Sequence, residues 1–114
     1  MGQYHKVFNL DKREFLAPHD MGDGAKLMEF GQSTGGTMTG LAVLLATSNG
    51  RGGGDFRPAN EADSTDIVGR WAGDRIAICG DYGEDTDKCN LYDAEGYENI
   101  SAMVYGALQR AGEI

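Results

Sequence analysis

Apolar and polar positions along the first seventeen residues predict a β-hairpin. Tyr4, Val7, Phe8 and Leu10 mark residues 3–10 as a strand, Asn9 to Arg13 supply turn chemistry, and Glu14-Phe15-Leu16-Ala17 returns as a short second strand. Pro18 ends that strand, because its ring removes a ladder donor. After the loop Asp20–Gly24, the apolar positions Leu27, Met28 and Phe30 are too few to separate a helical turn from a strand. From Thr37 to Ser48, residues Met38, Leu41, Ala42, Leu44, Leu45 and Ala46 cover most of a helical circumference. That pattern predicts a largely buried helix, N-capped by Ser33 or Thr34 and stopped by Asn49-Gly50.

Residues 49–66 read as the longest irregular segment, since Arg51-Gly52-Gly53-Gly54-Asp55 loses too much backbone entropy on ordering to form a regular element. Asn60 to Asp66 continues it as a polar, acidic stretch. A second hairpin is expected next: Ile67–Trp71 as a strand, Ala72-Gly73-Asp74 as the turn, and Arg75–Tyr82 as the partner strand. Asp81 to Asn90 reads as a polar loop and Asn90-Leu91-Tyr92 as a short edge strand. From Ala94 onward, Tyr97, Ile100, Val104, Leu108 and Ala111 recur at helical spacing, predicting an amphipathic helix closed by Gly112. Hairpin, helix, hairpin, helix gives an α+β fold: two β-hairpins, in a mostly antiparallel sheet, packed against two helices. No repeat or linker divides the chain, so residues 1–114 are expected to form one domain.

Composition changes this picture in two ways. Glycine supplies 18 of the 114 residues, about twice its usual share, without the proline or the period of a collagen. The formal net charge of −8 opposes a broad grip on phosphate backbones or anionic lipid, so neither nucleic-acid nor membrane binding is expected. An acidic surface could imitate nucleic acid only with its carboxylates on one face, and here they are spread along the chain. Cys79 lies in an apolar run and is expected to pack as a small hydrophobe. The absence of a signal-like start or a membrane-length apolar stretch suggests a cytoplasmic protein with reduced thiols. Met1-Gly2 is not followed by the hydroxyl residue at position 6 that myristoylation favours.

Candidate chemistry concentrates in two glycine-rich segments. Gly31-Gln32-Ser33-Thr34-Gly35-Gly36 opens into a helix and could offer free N–H groups to an anion. Thr37, however, stands where a phosphate-binding loop requires Lys, so Gly35 and Gly36 are expected to serve close packing or, at most, a simpler anion. Arg51, Gly52, Gly53, Gly54 and Asp55 are the stronger candidates: glycines let a ligand approach the backbone, and a guanidinium can clamp phosphate or carboxylate. Asp74 and Arg75 join the candidate ligand set. His5, His19 and Asp20 are weak metal candidates, brought near one another if the first hairpin forms. Asp81, Glu84, Asp85 and Asp87 lack calcium-loop spacing and read as a solvated loop. No cofactor motif and no nucleophile–base pair is visible. Trp71 is expected to anchor a core or sheet edge.

Met1-Gly2-Gln3-Tyr4-His5-Lys6-Val7-Phe8-Asn9-Leu10-Asp11-Lys12-Arg13-Glu14, the segment Gly22–Gly31, Asn49-Gly50-Arg51-Gly52-Gly53-Gly54-Asp55, and Gly69–Ile76 through Gly80-Asp81-Tyr82 together resemble a family of small uncharacterised proteins of actinobacteria and their bacteriophages. The resemblance implies a phage or accessory-genome origin and carries no activity with it. Two readings follow. The first is a non-enzymatic binding module for a host protein or a small anionic ligand. The alternative is a small enzyme or sensor acting on a nucleotide or phosphorylated metabolite through the two glycine-rich loops, with Asp74 or Asp81 as its acid, base or metal ligand.

Overall fold

The computed structural model describes residues 3–82, 91–93 and 95–114. The predicted first hairpin forms: β1 (His5–Asn9) pairs antiparallel with β2 (Glu14–Leu16), setting Val7 opposite Leu16 and Phe8 opposite Phe15. Its turn is organised by Asn9, whose Oδ1 accepts the N–H groups of Asp11 at 2.9 Å and Lys12 at 2.7 Å, a local side-chain bond that fixes the reversal. A single 3₁₀ turn follows at Pro18–Met21, and the ambiguous segment becomes a short helix, α1 (Leu27–Gly31).

The sheet is mixed, in the order β3-β1-β2-β4. β3 (Ile76–Gly80) adds to β1 antiparallel, placing Val7 beside Ile78. β4 (Glu98–Asn99) adds to β2 in parallel, through Glu98 N–H to the Arg13 carbonyl at 2.9 Å and Ile100 N–H to the Phe15 carbonyl at 3.0 Å. The α+β class therefore holds, in a mixed sheet whose β1–β2 and β1–β3 pairings are antiparallel and whose β2–β4 pairing is parallel, while the expected second hairpin does not form. Of the expected edge strand Asn90-Leu91-Tyr92, Asn90 lies outside the described residues and Leu91-Tyr92 is not in a strand; Glu98–Asn99 supplies an edge of the sheet.

The second hairpin fails for a physical reason. Ile67 ends a helix, α3 (Glu61–Ile67), and Gly69 then takes φ +71°, a left-handed conformation that turns the chain rather than extending it. The N–H groups of Gly69 and Trp71 donate to the carbonyls of Val43 at 3.0 Å and Leu44 at 2.8 Å. Those carbonyls belong to the last turn of α2 (Thr37–Leu45), where the Val43 carbonyl also takes the N–H of the C-cap Ala46 at 3.3 Å. Residues 69–71 thus close the end of α2, and α2 stops there rather than at Asn49. The stretch Asn60–Asp66, expected to be irregular, is mostly α3, N-capped by Asn60 Oδ1 accepting the Asp63 N–H at 2.8 Å.

The last helix, α4 (Ser101–Arg110), starts later than its apolar spacing suggests but stops as expected. Gly112 sits at φ +79°, its N–H reaches Gln109, and the Glu113 N–H reaches Leu108, the paired bonds of a Schellman stop. Helices α2 and α4 cover the Val7–Leu16 face of the sheet, with Leu44, Trp71, Val104 and Leu108 buried among them. On the opposite face Phe8 packs against Phe15 and edge-on against Tyr97, while the Lys6 ammonium lies 4.1 Å above the Tyr92 ring. Both faces are therefore covered, which is why Val7 and Phe8, consecutive in the strand, are both buried.

Cys79, on β3, is buried as its apolar run predicts, but it is disulfide-bonded rather than the reduced thiol expected of a cytoplasmic chain. The chain's other cysteine, Cys89, lies outside the described residues. Among the described residues no helix is long and apolar enough to cross a membrane.

Candidate functional site

The Arg51–Asp55 segment folds back on itself, and the residue that makes it do so is Asn49. The Asn49 side chain spans the base of the loop: its Nδ2 donates to the Phe56 carbonyl at 2.8 Å, and its Oδ1 accepts the Phe56 N–H at 2.9 Å. Asp55 closes the tip by accepting the Arg51 N–H at 2.9 Å. A loop with three consecutive glycines is thereby held by side-chain-to-backbone bonds in place of a ladder. Gly52 and Gly53 lie outside the left-handed region, and a Cβ added at either would meet nothing within 4 Å. Neither backbone strain nor packing in this structure calls for glycine at those two positions.

The loop borders an open hollow of about 680 Å³, lined by Arg51, Gly52, Gly53, Arg57 and Pro58 and by Ser64 of α3. Arg51 and Arg57 are both exposed, and neither has an ion pair among the described residues. The contrast with three other arginines is chemical. Arg70 spends its guanidinium on Glu14, Arg75 on Asp11, and Arg110 on Asp63, each through two nitrogens. Two arginines with no ion pair among the described residues therefore border one hollow in a chain of net charge −8, and Asp55 borders it too.

A second cavity of about 260 Å³ adjoins the first and shares Asn49, Asp55 and Phe56 with it. Its walls are Thr39, Ala42, Val43 and Ala46 from α2 and its C-terminal cap, Gly54 and Phe56 from the loop, and Glu113 after α4. The other glycine-rich segment reaches this cavity only through its neighbours. Gly35 donates its N–H to Thr39 Oγ1 at 2.8 Å, and a Cβ on Gly35 would lie 2.9 Å from the Glu113 carbonyl oxygen. The two glycine segments thus border one flank of α2.

The start of α2 is not open to a ligand. Neither Ser33 nor Thr34 caps it. Gly36 is the N-cap, and Asp23 supplies the carboxylate: its Oδ2 accepts the Thr37 N–H at 2.7 Å and the Ser33 hydroxyl at 3.2 Å. A Cβ on Gly36 would fall 2.5 Å from the Asp23 oxygens, so glycine here admits an internal anion. The site expected to hold a bound anion holds the protein's own.

Asp74 and Arg75 border none of these hollows. Asp74 accepts from Asn9 Nδ2 at 2.9 Å and from the Lys12 ammonium, and these donors, Lys12 foremost, hold its carboxyl below the usual value of 3.8. Arg75 grips Asp11, which it holds below the same ordinary value, first through its backbone N–H and then through its guanidinium. Both residues brace the β1–β2 turn. His5 and His19 do not converge: His19 stacks edge-on with Tyr4, His5 lies by Phe30, and Asp20 accepts from Asn99 at 2.9 Å. No cluster of three or more His, Cys, Asp or Glu able to hold a metal occurs among the described residues. Asp81 accepts the Tyr4 N–H at 3.0 Å, and Glu84, Asp85 and Asp87 lie outside the described residues.

Sequence reasoning missed Asn49, Phe56 and Arg57 at this site. Only Asn49 left a signal, as a turn-forming residue ahead of the glycines whose amide could replace a backbone partner. Comparison of the chain with family models, with curated proteins and with solved structures finds no match.

Proposed function

We propose that the chain is a non-enzymatic binding module for a small anionic ligand, taken up in the hollow that Arg51 and Arg57 border. The observation that carries this reading is the pair of guanidiniums without carboxylate partners on one cavity, beside two glycines that the fold itself does not require. Ser64 adds a hydroxyl to the same wall. Phosphate or carboxylate is the chemistry that two guanidiniums and close backbone recognise together. The sequence resemblance supports an accessory, phage-encoded role, with the ligand drawn from the host.

The enzymatic alternative needs an acid or base at the hollow. Asp55 is the carboxylate there, and it is occupied by the Arg51 N–H. Asp74 faces Lys12 and Asn9, which favours binding over turnover.

Thermal unfolding of the full chain in rising concentrations of inorganic phosphate, sulfate and citrate tests the reading, because a ligand selective for the folded state raises Tm with its concentration. The expected result is a saturable rise that is lost in the double variant Arg51→Ala, Arg57→Ala, whose unliganded Tm stays close to that of the parent. Absence of any rise with all three anions overturns it.

A further inference from the structure

We infer that β3 is a docking edge for a second copy of this chain, and that the two copies pair antiparallel about a two-fold axis at Ile78, joining their sheets into one. The inference is independent of the anion-binding reading.

β3 is an outer strand, with β1 on one side and no strand on the other among the described residues. Two backbone bonds fix which of its residues are committed to β1. The Arg75 carbonyl accepts the Leu10 N–H at 2.9 Å, and the Asp81 N–H donates to the Tyr4 carbonyl at 2.8 Å. In an antiparallel ladder alternate residues bond to one neighbour, so Arg75, Ala77, Cys79 and Asp81 turn their backbone groups to β1, while Ile76, Ile78 and Gly80 turn theirs outward. Those outward N–H and C=O groups have no backbone partner among the described residues.

Exposed edges are commonly guarded by charge, proline or a bulge. Ile76–Gly80 contains no charged residue and no proline, and it pairs with β1 residue for residue, without a bulge. Ile78, at its centre, is 41% exposed. The other edge of the sheet is guarded: β4 is only 2 residues long, and both Glu98 and Asn99 are polar and exposed.

The residues around β3 select its partner. Antiparallel pairing centred on Ile78 sets Ile78 against Ile78 of the second copy, Ile76 against Gly80 of the second copy, and Arg75 against Asp81 of the second copy. The outward-facing residues are then matched with one another, so their N–H and C=O groups find partners. Opposite charges meet at both ends of the interface, at positions where the side chains of an antiparallel pair come closest. Arg75 and Asp81 are both exposed, the Arg75 side chain by 77% even while it holds Asp11. A slip of two residues in either direction parts Arg75 from Asp81, so charge fixes the register. The surface is thus complementary to itself, as a two-fold interface requires. A strand of 5 residues buries far less than the roughly 1,600 Å² of a standard stable interface, so the dimer is reversible and concentration-dependent.

Sedimentation velocity of the full chain from micromolar to millimolar concentration tests this, with hydrogen exchange at Ile78 as the local readout. The mass is expected to rise from one chain toward two, and the Ile78 N–H to exchange about tenfold more slowly once about nine-tenths of the chains are paired. Arg75→Asp opposes two carboxylates across the interface and Asp81→Arg opposes two guanidiniums, so each variant alone is expected to stay monomeric where the parent pairs. An equimolar mixture of the two variants is expected to recover the dimer, because every opposed pair is then of opposite sign. Loss of fold in either variant could not produce that recovery. A parent chain that stays monomeric throughout overturns the inference. A dimer with unchanged exchange at Ile78 overturns the edge as its site. A dimer that persists in both single variants, or a mixture that stays monomeric, overturns the register.

Discussion

The indole N–H of Trp71 donates to Glu14 Oε1 at 2.8 Å, beneath the surface, while Arg70 grips the same carboxylate from the solvent side. Trp71 is fully buried and Glu14 only 5% exposed, so a charge inside the protein is satisfied from two directions. Arg70 is the main reason the Glu14 carboxyl lies below its ordinary 4.5, with burial opposing it and Trp71 assisting. Removing the carboxylate strands the indole N–H and leaves Arg70 without a partner. Glu14→Ala is expected to cost about 2–4 kcal/mol in urea unfolding. Trp71→Phe should cost less than Trp71→Ala, since it keeps most of the packing and loses one bond.

Acid should undo the fold progressively. Glu14, Asp11, Asp63 and Asp74 all have carboxyls held below their ordinary values, by Arg70, Arg75, Arg110 and Lys12 respectively. A carboxyl with a lowered folded value is less protonated in the folded than in the unfolded chain, so its stabilisation is complete above the ordinary value and fades as pH falls through the folded one. The urea midpoint should therefore drop as pH falls from about 4.5 toward about 3. A smaller drop is expected in Glu14→Gln. An unchanged midpoint across that window would show that these ion pairs carry no stability.

Gly69 is expected to be, with Gly35, among the least replaceable of the described glycines. Its φ of +71° disfavours any side chain, and a Cβ there would lie 2.8 Å from the Ala46 carbonyl oxygen, a backbone atom with no room to yield. Gly69→Ala should destabilise by about 2–4 kcal/mol, combining the left-handed conformation with the clash. Calorimetry on the variant checks it.

Gly53→Ala should behave in the opposite way. With open space around it and no left-handed backbone, the substitution should leave stability within about 1 kcal/mol or raise it slightly by restricting the unfolded chain. Phosphate affinity, measured on the same sample, should fall if ligand approaches the bare backbone there.

Asp23 is the cap of α2 at a distance of 14 residues in sequence. Asp23→Ala should cost about 0.5–2 kcal/mol, the range for losing a helix N-cap. Hydrogen exchange at Thr37, whose N–H loses its acceptor, should accelerate more than exchange at Leu44 in the same helix.

Local information explains which parts of the fold could be read from sequence. The first hairpin shows itself through alternation and through Asn9, whose bonds to Asp11 and Lys12 never leave the turn. The last helix shows itself through spacing and Gly112. β4 left no trace, because two polar residues, Glu98 and Asn99, become a strand only when Arg13 and Phe15 offer them partners. Ile67–Trp71 has strand-forming composition, yet its N–H groups are claimed by the end of α2, a tertiary demand that overrides propensity. α3 escaped notice because its only buried residues are Asp63 and Ile67, too few to print a periodic face. At the candidate site, Arg51–Asp55 was legible from its glycines. Arg57 and Phe56 were not, since their places depend on Asn49 folding the loop back.

The sheet order has a kinetic meaning as well. The hairpin of β1 and β2 is complete by Leu16, but the strand that flanks one side of it begins at Ile76 and the strand on the other side at Glu98. Both closures span most of the chain, and such contacts are slow because loop entropy is lost before pairing repays it. During synthesis the hairpin leaves the ribosome with two open edges, one unflanked until Ile76–Gly80 has followed it and the other until Glu98–Asn99 has. Folding of this small domain is thus tied to the synthesis of Glu98–Asn99, which closes the sheet.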